Sequence, residues 1–281
     1  MPALRRLDER PPLDDPCPVP AEAIAEFAEK GHAVVRGVAS AEEVEAYRPD
    51  LEATAQRLAW DTRPLAERDT YGKAFLQSAN LWRADEASRR FVLSPRFAGV
   101  AAAVLGVDGV RLYHDQALVK EAGGGHTPWH QDQYYWPLDT DRTITLWMPL
   151  VDLPSEVGSM TFASGSHRMG DLRGPSISDE SDEVFAAAVD ELGLRTETHG
   201  SLAAGDVTLH GGWTLHSAGG NPTAADRPVM TIIYVADGAR VAEPANRYQE
   251  FDRQAWLGGV EPGQPVGSEL NPRLWPPEGA A

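Results

Sequence analysis

The stretch Thr127–Leu138, TPWHQDQYYWPL, carries an imidazole and a carboxylate two residues apart, His130 and Asp132. In an extended strand, residues i and i+2 point to the same face. The pair is therefore expected to present a nitrogen and an oxygen donor side by side, two of the three donors of a 2-His-1-carboxylate metal face. His126 stands four residues before His130, the spacing of a helical zinc motif, but Pro128 between them argues against a helix. The third donor must come from elsewhere. Of the eight histidines, His210, just ahead of Gly211-Gly212, and His216, where a strand-like run gives way to a Gly-rich turn, are the downstream candidates. A structural role is the simpler reading of His210, and His167, in SGSHRMG, reads as a loop histidine that fixes local backbone. Arg227 follows His216 by eleven residues and precedes an apolar run. An arginine before a proline is ordinarily a surface residue; on a strand beside a metal it is a bidentate clamp for a carboxylate, which lysine is not. The aromatics Trp129, Tyr134, Tyr135 and Trp136 read either as a substrate wall, with the tyrosines offering hydroxyls, or as core packing.

Positioning these groups requires a rigid scaffold, and the chain changes character near Val110 to supply one. Upstream, residues 1–19 form a proline-rich arm, ordered or loose. Apolar residues at helical spacing from Pro20 to Lys30 end at Gly31, a C-cap. A short strand is expected over His32–Arg36. Ser40 and Glu43 form a capping box that opens a helix to about Leu58. Residues 61–80 read as irregular, and Ser94-Pro95 starts a helix that ends at Gly106. Downstream, strands are expected over 111–120, 143–150, 158–163, 206–210, 213–216 and 228–235. An insertion, 171–200, holds an acidic helix within Ser181–Leu192. The Pro- and Gly-rich tail, 237–281, is expected to wrap the outside. Helices over 20–109 followed by short strands over 110–236 predict one α+β domain with a sandwich or barrel core. The long segments 61–80 and 171–200 are the expected lids.

The composition is that of a globular chain, and the net charge of −17 argues against nucleic acid and anionic membrane surfaces as partners. It also points to a neutral or cationic small molecule in preference to an acyl-CoA. Cys17, the only cysteine, excludes an intrachain disulfide and fits a reducing, cytoplasmic location. No apolar run reaches the length of a membrane span, and the N-terminus has no apolar signal core.

The ordered series WHQD, LWMPL, FASGSHRMG, GDVTLH, LHSAGGN and Arg227, preceded by AEFAEKGHAVVRG, resembles the phytanoyl-CoA dioxygenase family from about Ala21 to Val235. The resemblance implies a double-stranded β-helix (jelly-roll, cupin-like) core with flanking helices. It implies iron(II) held by His130, Asp132 and His216, with 2-oxoglutarate and dioxygen as co-substrates and Arg227 on the distal carboxylate. Thr145 and Trp147, on one face of their strand, are expected to line the co-substrate pocket, and Gln116 to reach it from the preceding strand. Relatives often carry a serine two residues after the distal histidine. Here that position is Ala218, which leaves Ser217 or another hydroxyl to assist Arg227. Halogenating relatives lack the carboxylate that Asp132 supplies, so the resemblance implies hydroxylation or a related oxidation. A cupin-like isomerase or lyase would keep the metal ligands without needing Arg227, and a non-catalytic module would be expected to lose them.

Overall fold

The computed structural model describes residues 6–277 apart from 156 and 158, together with residue 279. The arm is ordered where it is described: Leu13 is buried in the main core, its carbonyl accepts from Ser94 Oγ at 2.6 Å, and Arg10 pairs with Asp50 at 2.7 Å. Helix α1 (Ala21–Lys30) ends at Gly31 in the left-handed region, φ 83°. Glycine is required there twice over, because a Cβ would also stand 2.4 Å from the His167 ring. Strand β1 (His32–Val35) follows. The Ser40–Glu43 capping box forms in both directions, at 3.1 and 2.8 Å, and opens α2 (Ala41–Leu58).

Residues 61–80, expected to be irregular, contain a short α3 (Thr70–Ala74) and a strand, β2 (Leu76–Ala79). Neither is long enough to show a hydrophobic period, and β2 exists because it pairs with β3 (Val110–Lys120). Between them lie α4 (Glu86–Val92) and α5 (Pro95–Leu105), the latter capped by Ser94 and closed by Gly106 as its sequence predicts. Then come β4 (Thr127–His130), β5 (Thr143–Pro149) and β6 (Met160–Ala163). Gly158, the first residue of the strand expected over 158–163, lies outside the described residues. Helix α6 (Asp179–Glu191) is the expected acidic helix, and β7 (Thr196–Glu197) closes the insertion. The strand expected at 213–216 is not formed: β8 (Val207–Gly211) turns through Gly211-Gly212, and β9 (His216–Ala218) starts only at His216. Strand β10 (Arg227–Ala236) is followed, in the tail, by α7 (Arg247–Ala255) and β11 (Arg273–Trp275).

All strand pairs are antiparallel. One sheet has the order β1-β8-β5-β10-β3-β11 with β2 also on β3; the other has the order β4-β9-β6-β7. The larger sheet sorts its side chains by the two-residue period of a strand. Ile144, Leu146, Met148, Met230, Ile232 and Tyr234 enter the core shared with α2, α4 and α5. The alternate residues Thr145, Trp147, Arg227, Thr231 and Ile233 face a cavity on the other side, where β4, β6 and β9 of the smaller sheet also contribute. Among the described residues, no helix is long and apolar enough to cross a membrane.

Candidate metal centre and its cavity

The pair His130 and Asp132 does not sit in one strand. β4 ends at His130, and Asp132 opens a 3-10 helix, Asp132–Tyr135. The register of β4 on β9 sets His130 directly opposite His216. One donor atom from each of His130, Asp132 and His216 lies within 4.8 Å of the others. Asp132 Oδ1 is 3.5 Å from His130 Nε2 and 3.8 Å from His216 Nε2, near the ~3 Å spacing of donors held about 2.1 Å from a shared metal.

Hydrogen bonds set the protonation pattern. His130 Nδ1 stands 2.8 Å from the Pro128 carbonyl and His216 Nδ1 stands 2.9 Å from the Thr214 carbonyl. A carbonyl only accepts, so each Nδ1 carries a proton and each Nε2 is the nitrogen turned toward Asp132. Burial, followed by the neighbouring His130 and His210 rings, drives the His216 pKa well below the usual histidine range, which keeps it neutral. Burial by itself would raise the Asp132 carboxyl, but His216, His130 and His210 together hold it well below the usual carboxylate range. The set is thus two imidazole nitrogens and one carboxylate oxygen, which fits a first-row divalent cation such as iron(II).

His210 has a place that its sequence context did not reveal. On β8, in register with Thr145 of β5, it sets Nε2 3.1 Å from Asp132 Oδ2, and Thr145 Oγ1 donates to the same oxygen at 3.2 Å. A carboxylate oxygen only accepts, so His210 Nε2 carries its proton and is not a free donor pair. Oδ2 is thereby occupied twice and Oδ1 is left facing His130 and His216. Thr145, expected in the co-substrate pocket, lines the cavity and also orients Asp132. The turn between His210 and His216 needs Gly212 bare: a Cβ there would lie 2.3 Å from Gln133 Oε1 and 2.5 Å from Thr143 Oγ1.

Arg227 opens β10 and is 3 % exposed, with its guanidinium 5.2 Å from the centre of the Trp147 ring. Burial lowers its pKa to about 10, so it stays charged at neutral pH. Both residues line the cavity, as do Gln116, Ser217 and Ala218. Gln77 Nε2 donates to Gln116 Oε1 at 3.2 Å, and Tyr71 donates to Gln77 Oε1 at 3.0 Å, which leaves the Gln116 amide N–H groups as its remaining donors. By strand alternation Ala218 takes the same side of β9 as His216. Thr127, paired opposite Ala218, brings a buried hydroxyl to the cavity that the sequence did not single out.

Lys120, the register partner of Arg227, is fully buried and donates to the Gly125 carbonyl at 2.7 Å and to Thr127 Oγ1 at 3.3 Å. Burial, with Arg227 adding to it, lowers its pKa to about 7, against ~10.4 in an unfolded chain. From about pH 7 to 10 the unfolded chain then binds more protons at this position than the folded one, so the residue's contribution to stability rises with pH across that window and is flat below it. Lys120→Met is expected to remove that slope. The variant-minus-parent difference in thermal midpoint should be larger at pH 7 than at pH 10; equal differences would show a lysine that is charged throughout.

Two expected wall residues are elsewhere. Trp129 packs against Phe185, Val189 and Leu215, and its backbone N–H donates to Asp182 Oδ1 at 2.9 Å; it does not line the cavity. Tyr134 likewise faces away, stacked edge-on with Tyr135, while its carbonyl accepts from Asn246 and Gln249. Within β4, Trp129 takes the face opposite to His130, and the 3-10 turn that opens at Asp132 carries Tyr134 out of the strand. Tyr135 does line the cavity, and its hydroxyl accepts from Ile177 N–H at 2.8 Å, tying the insertion to the turn that Asp132 opens. Both expected lids supply lining: Asp69, Tyr71, Phe75 and Gln77 from the first, Ser176 and Ile177 from the second. The acidic helix α6 contributes none, whereas the tail contributes Tyr248, Phe251, Asp252 and Trp256. The whole cavity is about 430 Å³, the size of a small-molecule site.

The family model for phytanoyl-CoA dioxygenase (PhyH) matches residues 27–229. A probable alpha-ketoglutarate-dependent hypophosphite dioxygenase of Stutzerimonas stutzeri is 26% identical over 243 residues, covering 83% of this chain and 84% of its own. Among solved structures, the non-heme alpha ketoglutarate dependent carbocyclase SnoK from nogalamycin biosynthesis is 26% identical with a TM-score of 0.72, over 92% of this chain and 99% of that one. The epimerase SnoN in complex with Fe3+, alpha ketoglutarate and nogalamycin RO is 28% identical with a TM-score of 0.70, over 90% and 97%.

Proposed function

The chain belongs to the phytanoyl-CoA dioxygenase family, and from that premise we propose that it is an iron(II)- and 2-oxoglutarate-dependent dioxygenase. It hydroxylates an unactivated C–H bond of a small neutral or cationic molecule and releases succinate and carbon dioxide. The observation that carries this reading is the meeting of His130, Asp132 and His216 with Arg227 along one cavity. A cupin-like isomerase or lyase has no use for a buried arginine stacked on Trp147 in the same cavity. The two antiparallel sheets are read as the halves of a double-stranded β-helix, and residues 1–281 as one oxygenase domain.

His130, His216 and Asp132 would hold the iron, with His130 Nε2, His216 Nε2 and Asp132 Oδ1 as the donor atoms that face one another. With 2-oxoglutarate and dioxygen, bound iron(II) supplies the oxidising power for C–H cleavage. Arg227 takes the distal carboxylate of 2-oxoglutarate in a bidentate grip, its plane supported by Trp147. Thr127 brings a cavity-lining hydroxyl from β4, Ser217 lines the same cavity, and Gln116 offers its amide donors. Leu118, Met160 and Phe75 keep this part of the cavity dry, which strengthens the charge pairing. Asp132 occupies the position at which a halide would otherwise bind, so hydroxylation is favoured over halogenation; which carbon reacts is left to the substrate's pose.

Incubation with iron(II), ascorbate and 2-oxoglutarate is expected to yield succinate, with a one-oxygen mass gain on the true substrate. No succinate, with or without candidate substrates, would overturn the reading. His210→Phe is expected to weaken iron(II) binding about ten- to a hundredfold, the usual effect of losing a partner that orients a ligand, as read by anaerobic metal titration. An unchanged affinity would show that Thr145 alone orients Asp132.

A further inference from the structure

The residues proposed for iron and 2-oxoglutarate all lie within the stretch that matches the family, 27–229, but part of the cavity wall lies beyond it. Phe251 and Asp252 of α7 and Trp256 just after it line the cavity. The Trp256 ring lies nearly parallel to that of Trp60, at 14° with centroids 6.4 Å apart, and Phe251 meets Trp256 edge-on at 6.0 Å. Trp60 is 56 % exposed and Phe251 58 % exposed, and they are the aromatics among the large exposed apolar side chains. Apolar surface gathered at a cavity mouth is a mark of ligand contact, because a ligand removes it from water.

The polar groups of this wall are also unusual. The β3–β10 register shifts so that Ile233 pairs with His114 and Tyr234 with Leu112, leaving Tyr113 as the extra residue of a bulge. Bulges re-aim side chains, and here His114 reaches the cavity while Tyr113 donates to Asp252 Oδ2 at 3.0 Å. The His114 ring is 5.0 Å from that of Trp256, is 3 % exposed, and has no hydrogen-bond partner at Nδ1. Burial lowers the His114 pKa to about 4 and raises that of Asp252 to about 8, so both are neutral near pH 7. Asp69, at the rim, caps α3 through Gly72 N–H at 2.7 Å. Arg227, stacked on Trp147, is the only Lys or Arg among the described lining residues. The wall therefore offers flat apolar faces and neutral hydrogen-bonding groups, with no cation for an anionic substrate.

Resting on the dioxygenase reading of the site, we propose that this wall selects a neutral, flat, aromatic substrate. It stacks on Trp256 beside Trp60 and Phe251, and a polar substituent hydrogen-bonds to His114 and Asp252. Selection thus lies with the linker after α2 and with the tail.

The test is calorimetric binding to the full chain loaded with iron(II) and 2-oxoglutarate under anaerobic conditions, where no turnover intervenes. The probes are 2,6-dihydroxynaphthalene, the decalin diol of the same skeleton, and N-methylquinolinium. The naphthalenediol is expected to bind about two- to tenfold more tightly than the decalin diol, the scale of an aromatic pair beyond its buried area. Trp256→Ala should erase that preference, and Trp60→Ala, at an exposed position, should reduce it; both should leave 2-oxoglutarate affinity unchanged, which also reports that the variants are folded. His114→Phe should cost the naphthalenediol more than unsubstituted naphthalene. Equal binding of the two diols, preference for the quinolinium cation, or indifference to both tryptophan substitutions would overturn the proposal. Failure to bind 2-oxoglutarate, with the naphthalenediol preference intact, would instead overturn the dioxygenase reading and leave the wall standing.

Discussion

Asp132→Ala is expected to lower iron(II) affinity by more than about a hundredfold and to end 2-oxoglutarate turnover. The loss of an outer partner typically costs ten- to a hundredfold, and Asp132 supplies the only anionic donor of the candidate centre. The substitution acts twice. It removes Oδ1 from between His130 Nε2 and His216 Nε2, and it strands the donors that Thr145 and His210 now place on Oδ2. Asp132→Asn separates charge from shape, since it keeps the volume and one carbonyl oxygen. It is expected to lose iron almost as completely while keeping a thermal midpoint near that of the parent. Anaerobic titration with iron(II), with succinate formation as the second readout, decides the matter. Unaltered metal affinity in Asp132→Ala would place the cation elsewhere.

Arg227→Ala is expected to weaken 2-oxoglutarate binding while iron(II) binding persists. Truncating one partner of a buried, hydrogen-bonded charge pair costs about 2–5 kcal/mol, or roughly thirtyfold to several-thousandfold in affinity. Arg227→Lys should recover little of this. Lysine keeps the charge but has neither the two-pronged fork nor the planar face that lies over Trp147. Trp147→Leu, which leaves the guanidinium without its support, should fall between the parent and Arg227→Ala. The measurements are 2-oxoglutarate titrations of the iron-loaded protein. Equal loss of iron and 2-oxoglutarate in Arg227→Ala would mark Arg227 as a structural residue.

How much of this was legible in the chain depends on how far apart the causes lie. The Ser40–Glu43 box, the Ser94 cap and the Gly31 and Gly106 stops were legible because each is satisfied within a few residues. Helix α7 was not, since its sequence, RYQEFDRQA, sits in a Pro- and Gly-rich tail and its one buried residue is a carboxylic acid, Asp252. Strands β2 and β11 were missed for a related reason: they are three or four residues long and are stabilised by β3, not by their own pattern. Trp129 and Tyr134 were open between wall and core because nearness in sequence does not fix a face: the strand turns Trp129 away from the side that His130 takes, and the 3-10 turn carries Tyr134 out of the strand.

By itself the sequence determined the donor types, their order along the chain, the family they resemble and the local caps that start and stop the main helices. It also kept His210 and His216 both in play, because spacing does not say which imidazole nitrogen faces a neighbour. Only the tertiary structure decided that: the β4–β9 register sets His216 opposite His130, and the β5–β8 register sets His210 and Thr145 on the outer oxygen of Asp132. The physical reason is that a metal face and its supports are made by hydrogen-bonded strand register between segments some eighty residues apart, and a register is a property of the pair of strands, written in neither one alone.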